Sequence, residues 1–153
     1  MQITITPELF ESDDARRLIA ALDEHLAARY PPAQRFGPNL RPEHLETGRG
    51  AFVIARADGL AVGCGAFRML DEVAAEVKRM YVDPAVRGRG VGRGILDHLE
   101  SAAHALGARR LVLETGTLQT EAISLYRRAG FKPIDCFGEY ATSPTSLCFE
   151  KEI

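Results

Sequence analysis

The chain has 153 residues, 46% of them hydrophobic and 26% charged, with a formal net charge of -2, which suits a single domain over residues 1–153 with a continuous core. A near-neutral total argues against bulk electrostatic binding of nucleic acid, which leaves a basic footprint over a whole face. No uninterrupted apolar segment is long enough to span a bilayer, and the start MQITITPEL has no signal-peptide core, so a cytoplasmic protein with no membrane contact is expected.

Gln2–Thr6 alternates as a strand does. Ser12-Asp13-Asp14 then offers helix-start chemistry before an amphipathic stretch to about Ala28, with Leu18, Ile19, Leu22 and Leu26 at helical spacing. From Tyr30 to Gly50 the chain is polar and rich in proline and glycine, a long loop or short helix of the kind that carries function. The runs AFVIARADG and LAVGCGAFRML meet at Asp58-Gly59, a hairpin signal, and AAEVKRMYV follows as the third strand of an antiparallel meander.

Beyond the meander, Val91, Ile95, Leu96, Leu99, Ala103 and Leu106 mark one face of a helix ended by Gly107. RRLVLETG reads as a strand, TEAISLYRRAG as a short helix closed by Gly130, and FKPIDCFG and TSLCFEKEI as two last strands. The pattern predicts one α/β domain of the α+β kind, with a mixed sheet flanked by helices.

Residues 86–94 read VRGRGVGRG, between the third meander strand and the long helix. Bare backbone and positive charge at a helix start suit a phosphate group. The P-loop pattern fails because the window holds no lysine. The dinucleotide fingerprint fails because its third glycine would fall on Arg93 or Ile95, and because a meander replaces the βαβ unit; only Glu114, about twenty residues on, favours it.

Arg-x-x-Gly-x-Gly does fit, on Arg87, Gly90 and Gly92. The run MYVDPAVRGRGVGRGILDHLE resembles the acyl-CoA-binding motif of the GNAT superfamily of N-acetyltransferases, and LYRRAGF resembles that family's second signature. The resemblance covers nearly the whole chain and implies a mostly antiparallel central sheet flanked by helices. It also implies direct transfer of an acetyl group from acetyl-CoA to a primary amine of a small molecule, an amino acid or a polyamine. An acetyl-CoA sensor without turnover, or acetylation of a protein lysine or N-terminal amine, are the alternatives.

By the same resemblance Arg87, Gly88, Arg89, Gly90, Val91, Gly92 and Arg93 surround the coenzyme pyrophosphate, where successive N–H groups form an anion nest. Met80 and Val82 lie along the pantetheine arm, with the Met80 N–H as the oxyanion donor. Gln119 stands where many relatives carry asparagine, and it can still hydrogen-bond the coenzyme. Tyr126 matches the tyrosine that faces the coenzyme sulfur; giving its proton to a thiolate is about 2 kcal/mol uphill, tolerable in a transition state. Its bland alternative is a core tyrosine with a satisfied hydroxyl.

Glu76 is the candidate base. By period two it shares one side of its strand with Lys78, Met80 and Val82. A salt bridge to Lys78 or Arg79 on a solvated face explains it equally well. The acceptor groove of this fold falls between Tyr30–Gly50 and Gly138–Thr145, which hold Tyr30, Arg35, Arg41, His44, Glu46, Glu139 and Tyr140. Arginines there suit a carboxylate-bearing acceptor or simple solvation.

His25, His44, His98 and His104 are dispersed, so no metal is expected. Cys64, Cys136 and Cys148 form no C-x-x-C pair and read as small buried hydrophobes of a reducing compartment. Terminal strands in such folds often pair across a dimer, so a homodimer is an expectation too.

Overall fold

Seven strands pair in the order β1-β2-β3-β4-β5-β7-β6 in a computed structural model that describes residues 1–36 and 39–153. They are β1 (Ile3–Pro7), β2 (Gly50–Ala57), β3 (Leu60–Met69), β4 (Ala74–Val82), β5 (Arg110–Gly116), β6 (Lys132–Ile134) and β7 (Ser146–Glu152). The helices are α1 (Asp13–Ala27), α2 (Val91–Ala105) and α3 (Thr120–Arg128). The expected meander is β2–β3–β4, and the described residues between Tyr30 and Gly50 include the short 3-10 turns Pro32–Gln34 and Pro42–Leu45. Residues 37 and 38 lie outside the described residues.

Local chemistry accounts for the element boundaries. The Ser12 side chain accepts from the Ala15 N–H at 3.1 Å and so caps α1, with Asp13 and Asp14 in its first turn. Asp58 and Gly59 both hold positive φ, 50° and 87°, the geometry that a two-residue hairpin needs to match strand twist. Leu106 is a correction: it caps α2 and is 39% exposed, so the buried face of that helix ends at Ala103.

All strand pairs are antiparallel except β4–β5, because α2 crosses one sheet face and returns the chain in the same direction. Ile95 and Leu99 of α2 and Tyr126 of α3 pack with Val53, Phe67, Leu113 and Phe149 in the larger core. On the opposite face α1 sets Ala15 and Leu18 against Phe52, Ile54 and Ala66.

Strict alternation along β4 does not hold. Lys78 pairs with Ala66 and Tyr81 with Cys64, so Gly65 alone opposes both Arg79 and Met80. This is a β-bulge, and Arg79 occupies it with φ 58°. The extra residue shifts the phase of the strand. Met80 and Val82 pack with Val77 and Ala75 against α2, whereas Glu76 and Lys78 stand on the α1 face. The expectation that these four side chains share one side is therefore corrected.

The cysteine reading is corrected as well. Cys136 and Cys148 form a disulfide, and Cys64 alone is free, buried on the α1 face. The β6–β7 register pairs Ile134 with Cys148, which brings Cys136, two residues on, back across from β7. Sequence spacing carries no trace of that pairing.

Candidate active site

Between β4 and α2 the chain makes a short turn in which Asp83 accepts from the Ala85 N–H at 2.9 Å. Gly88 and Gly90 follow with φ of 79° and 80°. No atom lies within 4 Å of where their Cβ would stand, so it is the left-handed backbone rather than crowding that requires glycine there. Gly90 is the N-cap of α2, with no side-chain cap and no acidic residue in the first turn. The first N–H groups of the helix are thus left to an external anion.

A cleft of about 380 Å³ opens at this helix start. Gly88, Gly90, Val91 and Gly92 line it, together with Arg87 and Arg93. Arg87 Nη1 lies 3.3 Å from Glu121 Oε2, and Arg93 Nε 3.0 Å from Asp97 Oδ1. Both arginines are therefore braced at the rim. Arg89 is exposed and does not line the cleft.

Pairing of β4 with β5 stops at Val77 and Leu113, although β4 runs on to Val82 and β5 to Gly116. The strands part there, and a second cavity of about 110 Å³ lies beside the first. Met80, Gln119 and Tyr126 border both, and Val82 lines the larger one. The structure thus brings together every predicted coenzyme residue except Arg89. His25, read as dispersed, meets Gln119 at this junction, with Nε2 2.8 Å from Oε1.

Tyr126 is 5% exposed. Burial raises its phenol pKa, the Glu114 charge adds to that rise, and no hydrogen bond offsets it. Such a phenol holds its proton at neutral pH and gives it up only to a strong developing base.

The smaller cavity holds two carboxylates in different surroundings, Glu76 buried and Glu114 half-buried. Glu76 is 1% exposed. Arg68 Nε donates to its Oε1 at 2.9 Å, and the Tyr140 hydroxyl donates to its Oε2 at 2.5 Å. Lys78 Nζ in turn donates to the Tyr140 oxygen at 2.9 Å and stands 4.0 Å from Glu76. Burial lowers the Lys78 pKa against the pull of Glu76. The expected solvated face is buried, and Arg79 pairs with Asp23 instead of Glu76.

Glu114, on β5, is less encumbered. Ser146 Oγ donates to its Oε2 at 2.5 Å. Burial raises its carboxyl pKa, while that hydrogen bond and Lys78 lower it and Glu76 raises it further. It lines the same cavity as Tyr126. A carboxylate within an apolar strand was the available signal, the one that singled out Glu76; which of the two sits at the parting of the strands depends on the β4–β5 register.

Of the acceptor-loop residues, Tyr30, Arg35 and Tyr140 line the smaller cavity, while Arg41, His44, Glu46 and Glu139 do not. The Tyr30 oxygen accepts from the Leu118 N–H at 2.9 Å, which ties this loop to the start of α3. Among the described residues no cluster of His, Cys, Asp and Glu could hold a metal ion, and no helix is long and apolar enough to cross a membrane.

Comparison with known proteins bears on the family and the fold. Residues 12–131 match the model of the acetyltransferase (GNAT) family. The chain is 39% identical to an IAA acetyltransferase of Azospirillum brasilense, over 99% of this chain and 98% of that one. A crystal structure described as an acyl-CoA N-acyltransferase, from Klebsiella pneumoniae, superposes with a TM-score of 0.84 at 34% identity, covering 99% of this chain and 97% of the other. The PaiA N-acetyltransferase of Thermoplasma acidophilum, solved with coenzyme A, shares the fold with a TM-score of 0.75 at 20% identity over the full length of both chains.

Proposed function

The chain belongs to the acetyltransferase (GNAT) family, and from that premise we propose that it moves an acetyl group from acetyl-CoA to a primary amine of a small molecule, directly, with both substrates bound. The observation that carries this reading is the position of Tyr126. It borders both the cleft under the glycine-rich turn and the smaller cavity beside it. A group there reaches the thioester from one side and the amine from the other.

The residues of the larger cleft fit the coenzyme. Unclaimed N–H groups at the start of α2 and the flanking Arg87 and Arg93 suit a pyrophosphate. The parting of β4 from β5 leaves that edge of residues 78–82 without a strand partner, which suits an extended pantetheine arm along Met80 and Val82. The Met80 N–H is the oxyanion donor in this reading.

Glu114 takes the role of base, because Glu76 already has both oxygens engaged by Arg68 and Tyr140. A carboxyl group pushed up by burial is a better match to an amine than an ordinary one. The nitrogen–carbonyl bond forms as the carbon–sulfur bond breaks. Of the two protons leaving the ammonium nitrogen, one reaches the departing sulfur by way of Tyr126 and the other leaves through Glu114 to water. The smaller cavity suits a small amine better than a folded protein surface.

Thiol release from acetyl-CoA, measured against amino acids, polyamines, aminoglycosides and short peptides, tests the reading. Acceptor-dependent release that collapses in Tyr126→Phe is the expected result. Flat traces across the panel, with acetyl-CoA still raising the melting temperature, would count against transfer to a small amine.

A further inference from the structure

Resting on that acetyl-transfer reading, we propose that the acceptor is an amine that also carries a carboxylate, and that Arg79 and Arg35 hold the carboxylate in the smaller cavity. Arg79 sits in the β4 bulge with φ 58°, a conformation that bulky residues rarely adopt and that concentrates at functional sites. The bulge turns its side chain away from Met80 and toward α1, where Nη2 donates to Asp23 Oδ1 at 2.8 Å. The side chain is 4% exposed.

One nitrogen of that guanidinium is anchored and another is not. Arg79 Nη1 is buried with no hydrogen-bond partner among the described residues, and Arg35 Nε is in the same condition. These are the two buried side-chain atoms so left among the described residues, and both arginines line the smaller cavity. A buried N–H without an acceptor bears the full loss of its hydration. A planar carboxylate offers acceptors to two guanidinium groups at once.

The cavity is also polarised. Lys78 adds a third positive charge to its lining, while Glu76 is already paired with Arg68. Glu114 supplies the opposite sign, beside Tyr126. A zwitterionic amino acid fits this arrangement, with its amine toward Glu114 and its carboxylate toward the arginines. A polyamine would set a second ammonium group against Arg35, Lys78 and Arg79, which like-charge repulsion opposes. The same cavity therefore separates two acceptor classes that sequence motifs leave together.

The test uses matched trios: L-methionine, L-phenylalanine, L-glutamate and L-lysine, each with its carboxamide and its decarboxylated amine. Calorimetric titration into the coenzyme A-saturated protein reads binding apart from turnover, and thiol release from acetyl-CoA reads transfer. At least one acid should bind about tenfold or more tighter than its amide, the scale of one charge-assisted hydrogen bond. Arg35→Gln should narrow that gap without altering coenzyme A affinity. Arg79→Lys, which keeps a partner for Asp23, should narrow it as well.

Equal binding of acid and amide, tighter binding of the decarboxylated amines, or no binding by any acid would overturn the proposal. So would an acid preference unaffected by both variants in folded protein. Acid-selective binding with no thiol release would instead overturn the transfer reading and leave the carboxylate site standing.

Discussion

Tyr140 donates its hydroxyl proton to Glu76 at 2.5 Å while accepting one from Lys78 Nζ at 2.9 Å. One phenol thus joins a buried acid to a buried base that are 4.0 Å apart and do not share a direct hydrogen bond at that distance. Its ring also packs edge-on against Phe36, 4.8 Å between centroids, so the two acceptor loops meet on it. Tyr140→Phe keeps the ring and removes both hydrogen bonds. Unfolding stability should fall by about 1–3 kcal/mol, read by urea denaturation, and the acceptor KM should rise while the acetyl-CoA KM holds.

Glu114 and Glu76 are told apart by substitution. Glu114 works as a base only when ionised, and burial raises its pKa. The acid limb of kcat/KM should therefore lie above the ordinary carboxylate range, with activity lost as pH falls through it. Glu114→Gln should remove that limb along with most of the rate. Glu76→Gln should retain the limb and instead lower stability by about 3–5 kcal/mol, as expected when one member of a buried ion pair is removed. The same limb persisting in Glu114→Gln would exclude Glu114 as the base.

For Tyr126 the expected split is the reverse. No hydrogen bond contributes to the state of its hydroxyl, so Tyr126→Phe strands no partner and should leave stability little changed. Loss of a general acid should nevertheless reduce kcat by about 10² or more. A large fall in melting temperature with kcat preserved would return Tyr126 to a packing role.

Much of this layout was legible in the chain. Ser12, Asp58-Gly59 and the glycine-rich turn carry their own backbone instructions, and the periodicity of Leu18 and Leu22 or of Ile95 and Leu99 is local. The errors share a different origin. Bulging at Arg79 and pairing of Cys136 with Cys148 both depend on which residue of one strand meets which residue of another. Period-two reasoning carried Glu76 and Met80 to one face because it cannot register a single inserted residue. Glu114 went unmatched to Tyr126 because the two reach one cavity from separate elements, β5 and α3.

At Gly88 and Gly90 the cost of substitution lies in the backbone alone. A methyl group at Gly90 meets nothing within 4 Å, yet its φ of 80° disfavours any L side chain by about 1–2 kcal/mol. Gly90→Ala should lower stability by that amount and raise the acetyl-CoA KM, since relief of the strain moves the helix-start N–H groups. Acceptor KM, measured at saturating acetyl-CoA, should stay as it was.

Cys64 should be chemically silent. It is fully buried, and burial pushes its thiol pKa up to about 12, so almost no thiolate exists at pH 8. A colorimetric disulfide reagent should find no free thiol in the oxidised native protein and one after denaturation. Labelling of Cys64 under native conditions would mean that the α1 face opens.

The Cys136–Cys148 bridge closes the base of a hoop whose free part, residues 137–145, carries Tyr140 into the lining of the smaller cavity. Just past that hoop, β7 is paired on both sides, with β5 and with β6. The hoop thus springs from a strand that is held on both sides. Chains built on this plan can vary the hoop around Tyr140 while Arg79 and Glu114, carried by the sheet, keep their places in the cavity.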